Sequence, residues 1–71
     1  MTHGKTFQAG DIVTRDGTDE HEVIKAEPGD NCMTVRCVKR PTDGWCEVGD
    51  EEFNLTRRYE LVRSAPNTGN D

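Results

Sequence analysis

Apolar side chains recur at every second position in short runs, and the longest of these falls within residues 31–48. Met33, Val35 and Cys37 share one face, with Thr34 and Arg36 between them, which is the period of a strand with one buried side. Thr34, Val35 and Val38 are β-branched and suit a pleated, half-buried surface. Pro41, Thr42, Asp43 and Gly44 then supply turn chemistry, because proline fixes φ and glycine accepts the positive φ that closes a short hairpin. The pattern predicts a reversal there. The returning strand runs through Trp45, Cys46, Glu47 and Val48, with Cys46 and Val48 facing inward and Trp45 outward.

The remaining elements are shorter. Gly10 and Asp11 lead into a first strand over residues 12–15, and Asp16-Gly17 is a turn signal. Residues 22–26 read as the second strand, ended by Glu27, Pro28, Gly29 and Asp30. Phe53 and Leu55 are the apolar positions of the segment after the acidic connection. The segment is too short for a stable helix, so a single helical turn is expected from Leu55 to Arg58 with Asn54 as its cap. Tyr59, Glu60, Leu61 and Val62 form the closing strand. Residues 1–6 have no periodicity and read as a loose arm, Phe7 as the first anchored side chain, and residues 64–71 as a polar tail. The outline is all-β: a small five-stranded barrel over residues 7–63, with a short helical turn before the last strand. Closure would remove the exposed sheet edges that a short chain must otherwise protect.

The opening FQAGDIV of residues 7–13, with its Gly10-Asp11 entry, and the closing FNLTRRYELV of residues 53–62 resemble the SH3-like barrels of bacteria and their phages. The KOW-like and YodC-like small proteins are among these. The segment GWCEVGD of residues 44–50 is similar to small proteins encoded in phage and mobile-element neighbourhoods. The resemblance covers residues 7–63 and implies an SH3-like barrel. It carries no activity to transfer.

Charge narrows the function. The chain carries −5 at neutral pH, with an isoelectric point near 4.9, which disfavours a protein whose main task is gripping phosphates. Seven acidic residues face three basic ones in residues 1–31, whereas residues 32–63 hold six of each. Hydrophobic residues are 31% and charged residues 32%, close to the limit for a folded chain, but the apolar positions are grouped in strand-like runs. No apolar run is long enough to span a membrane and no charged-then-apolar leader opens the chain, so a cytoplasmic location is expected.

Three cysteines without a secretory signal imply reduced thiols. Cys32 and Cys37 are five residues apart and face opposite sides of a regular strand, so a zinc site from Cys32, Cys37, Cys46 and His21 would need a bulge. The spacing alone predicts no metal and no cofactor. His3 and His21 stand beside no nucleophile in a recognisable pattern, and no glycine-rich phosphate loop is present. The expectation is a non-enzymatic module that binds another protein, with Trp45 and Tyr59 as aromatic anchors and Asp16, Asp19, Glu20 and Glu22 as an acidic loop. In the phage setting that the resemblance implies, the partner is a host protein that the module binds or inhibits. The alternative is a nucleic-acid-binding accessory using Arg36, Lys39, Arg40, Arg57 and Arg58.

Overall fold

The structure, a computed structural model, describes residues 7–26 and 31–65. The arm expected at residues 1–6, the turn at residues 27–30 and residues 66–71 of the expected tail lie outside the described residues. Five strands form one antiparallel sheet: β1 (Ile12–Thr14), β2 (Glu20–Ala26), β3 (Cys32–Lys39), β4 (Glu51–Leu55) and β5 (Glu60–Arg63). Their order across the sheet is β4-β3-β2-β1-β5. No helix among the described residues is long and apolar enough to cross a membrane.

Alternation on β3 sets the inner face. Met33, Val35 and Cys37 are buried there, and Val23 lies opposite Val35 on β2. Phe7, Val13, Val23, Met33, Val35 and Tyr59 form the core, with Ala26 against it. Phe53 stands opposite Thr34 on the outer face and stays 69% exposed. The Gly10-Asp11 entry is explained by its bonds. Gly10, at φ 95°, donates to Val23 O at 2.8 Å, and the Asp11 carboxylate accepts from the amides of Gln8 and Ala65 at 3.0 and 2.7 Å. Ala65 is therefore held by the fold, although the tail was expected to begin at Ser64.

Three expectations are corrected. The sheet is not closed into a barrel: β4 and β5 are its two edges. The returning strand is Glu51–Leu55, and Trp45, Cys46, Glu47 and Val48 belong instead to a folded loop over residues 40–50. The physical reason is a pair of successive turns. Gly44 at φ 71° donates to Pro41 O, and Asp50 donates to Glu47 O just after Gly49 at φ 98°. Residues 49 and 50 then rejoin the ladder, since Cys37 donates to Asp50 O and Gly49 donates to Cys37 O, both at 2.8 Å. The expected helical turn is present as a 3-10 turn, Thr56–Arg58, but no side chain caps it; Asn54 Oδ1 accepts from the Leu55 amide instead.

The inner and outer assignments predict opposite costs for two truncations. Met33→Ala should lose about 2–5 kcal/mol, a large part of the roughly 5–15 kcal/mol typical of a domain. Phe53→Ala should stay within about 0.5 kcal/mol. Urea unfolding of the two variants checks this, and equal losses would contradict the facing.

Candidate functional site

Toward one end of the sheet, the inner face changes from hydrocarbon to reactive groups. The β3 stripe that begins with Met33 and Val35 ends in Cys37, and the register sets His21 of β2 opposite Cys37. Directly opposed residues share a face, so the thiol and the imidazole are neighbours inside the fold. His21 shares the buried face with Val23 by the period of two along β2. His21 is 2% exposed.

Asp19 precedes β2 and is buried with His21. Its carboxylate accepts from Thr14 Oγ1 at 2.6 Å, from the amides of Arg15 and Asp16 at 3.1 Å each, and from His21 Nε2. Burial pushes the Asp19 carboxyl up, but the bonds from Thr14, the Asp16 amide, His21 and the Arg15 amide outweigh it and hold it below its ordinary value. A carboxylate only accepts, so the proton of the shared bond belongs to Nε2. The opposite ring atom, Nδ1, is buried and has no hydrogen-bond partner.

Loop 40–50 closes over this dyad. Trp45 stacks on His21 with ring centroids 5.7 Å apart, and Tyr59 meets His21 edge-on at 5.8 Å. The Trp45 indole donates to Asp16 Oδ2 at 2.9 Å, and the Arg15 guanidinium lies over the same ring at 4.8 Å. The Thr42 amide bonds Thr18 Oγ1 at 3.0 Å, which ties the loop to the β1–β2 turn a second time. Arg40 reaches Glu47 at 3.1 Å, and a Cβ at Gly44 would collide with the Arg40 guanidinium. This folding brings Cys46 Sγ to 3.5 Å from Cys37 Sγ. Burial, and then the neighbouring Cys37, push the Cys46 thiol up to about 12.

Glu52 comes from β4, opposite Val35 and hence on the inner face. It pairs with Arg15 at 3.2 Å and accepts from Asn54 Nδ2 at 2.6 Å. Burial, and then the Glu52 charge, push Tyr59 up to about 12. The assembly encloses an open cleft of about 330 Å³, with Trp45 and His21 on one wall and Asp50, Glu51 and Glu52 among its other lining residues.

The expected contact residues separate in this geometry. Trp45 is 41% exposed and borders the cleft, and Asp16 is exposed beside it. Tyr59 and Asp19, expected at the contact surface, are fully buried: the first completes the core and the second organises the loop. Glu20 and Glu22 pair with Arg63 and Arg36 at 3.3 and 3.4 Å. Of the basic set, Arg36 and Arg40 answer glutamates, while Lys39, Arg57 and Arg58 are exposed and take no part in the cleft. Cys32 lies near the far end of β3, opposite Leu55. Sequence reasoning missed Arg15, Asp50, Glu51 and Glu52. The one local signal for the last three was the Gly49-Asp50 turn, which returns the chain to β3. No protein-family model matches the chain, and neither a curated protein nor a solved structure does.

Asp16 is exposed, yet the Trp45 indole, and then the Thr18 amide and hydroxyl, hold its carboxyl well below the ordinary 3.8. A lowered folded-state value means that the bond's contribution is complete above 3.8 and is lost as pH falls through the lowered value. The indole N–H resonance of Trp45 should therefore stay constant from neutral pH to below 3.8 and move only in stronger acid. Movement centred at or above 3.8 would show that the bond is absent in solution.

Proposed function

We propose that this chain is a non-enzymatic protein-binding module that receives a basic side chain of its partner in the cleft beside Trp45. The strand order β4-β3-β2-β1-β5 and the 3-10 turn before β5 support an SH3-like arrangement left open at its edges. The observation that carries the functional reading is the state of Trp45. Its ring is fixed by His21, Arg15 and Asp16, and 41% of the residue still faces solvent. A large aromatic group that is already held loses little entropy on binding and makes an effective anchor.

The charge around it selects the partner. Asp50, Glu51 and Glu52 line the cleft, and Arg15 is the one cation among its lining residues. With a net charge of −5, the surface steers toward lysine- or arginine-bearing proteins, and the attraction weakens with salt. Under the phage reading of the sequence, that partner is a host protein. The arginines of the rival nucleic-acid surface do not favour it in the same way, because Arg36 and Arg40 are already engaged by Glu22 and Glu47.

Trp45 is the single tryptophan, so its own fluorescence reports the event. A lysine- and arginine-rich peptide should perturb the emission saturably, and a glutamate-rich peptide of equal length should not. Trp45→Ala, followed by anisotropy of the labelled basic peptide, should weaken binding about 30-fold, the scale of an anchor worth about 2 kcal/mol. Unchanged affinity in a folded Trp45→Ala variant, or equal response to both peptides, would refute the reading.

A further inference from the structure

We propose that His21, Cys37 and Cys46 form a binding site for a zinc ion, with Asp19 orienting the imidazole from behind. The site goes beyond the partner-binding reading and does not depend on it. One donor atom from each of the three residues lies within 4.8 Å of the others. Two of the three residues are buried in the inner face, and Cys46 is brought to them by the folded loop.

Three features select a soft divalent cation. The first is His21 Nδ1, a buried ring nitrogen without a hydrogen-bond partner in a residue only 2% exposed. Buried polar atoms are almost always paired, and an orphan costs about 1–3 kcal/mol. A metal ion supplies the missing partner. The second is the bond on the other side of the ring. Metal-ligating histidines give their remaining N–H to a carboxylate, which fixes the tautomer and raises the basicity of the ligating nitrogen. Asp19 occupies that position on Nε2.

The third is the thiol pair. Two sulfurs, each about 2.3 Å from a tetrahedral zinc, stand roughly 3.8 Å apart, and Cys37 and Cys46 already stand at 3.5 Å. Two thiolates and an imidazole suit zinc, whereas magnesium and calcium take oxygen donors. Both thiols release their protons on binding, so affinity rises with pH. Three protein donors leave a fourth coordination position, and all three residues line the same cleft. Cys32 takes no part in the cluster and serves as an internal control.

The test uses the 71-residue chain, reduced and stripped with chelator, titrated with cobalt chloride and then zinc chloride. Wild type should take up one ion per chain by native mass spectrometry. It should also develop a thiolate-to-cobalt charge-transfer band that zinc abolishes. Cys32→Ser should behave as wild type. Cys46→Ser, a change in a half-buried loop residue, should keep the far-ultraviolet circular dichroism of wild type and lose the band, with affinity falling at least about tenfold. A reduced wild type that shows no such band overturns the proposal. So does a Cys32→Ser variant that loses the band as completely as Cys46→Ser.

Discussion

The buried Asp19 carboxylate is the constraint on which the reactive end of this fold depends. Three donors from residues 14–16 converge on it, and the imidazole of His21 supplies a fourth. An ionised carboxylate is costly to bury unless its lone pairs are filled, and here they are filled by the turn that precedes β2. The carboxylate ties the turn together, and the donors of the turn help to keep it charged. From that mutual dependence follows the orientation of His21, then the seat on which Trp45 stacks, and then the path of loop 40–50 that carries Cys46 to Cys37.

Much of the architecture was legible in the chain. Alternation at Met33, Val35 and Cys37, the Asp16-Gly17 turn and the short apolar segments placed all three N-terminal strands, the 3-10 turn and the closing strand within a few residues. Trp45 was legible as a half-exposed residue, although for a different reason from the one that applies. The alternation of Trp45, Cys46, Glu47 and Val48 looks like a strand. The turn at Gly44 was legible; the second turn at Gly49 and the indole bond to Asp16, which keep residues 45–48 out of the ladder, have no period that local pattern reveals. β4 falls at Glu51–Leu55 rather than at residues 45–48, and the sheet it ends is open.

The site was less legible because its members meet only through pairing. His21 and Cys37 lie in different strands, and their opposition depends on a register containing two irregularities along β2. Cys46 adds a third, remote segment. Reasoning from spacing separated Cys32 from Cys37 and admitted a cluster with Cys46 and His21 only through a bulge, since no spacing rule links residues 21, 37 and 46. The acidic residues show the same division. Asp19 reads in sequence as one of four acids of a partner-binding loop, but burial makes it an organiser, whereas Glu52 reads as a linker charge and sits on the inner face with Arg15 and Asn54.

The metal site rests on one claim: that Asp19 holds His21 with its proton on Nε2, turning Nδ1 into a bare, buried acceptor. Long-range nitrogen–proton correlation spectra of the metal-free, reduced chain in mildly alkaline buffer examine this most directly, because the two neutral tautomers give distinct cross-peak patterns. The account predicts a single Nε2–H tautomer for His21 that becomes a tautomeric mixture in Asp19→Asn. An Nδ1–H tautomer in the wild-type chain, or fast averaging between the two, would contradict it.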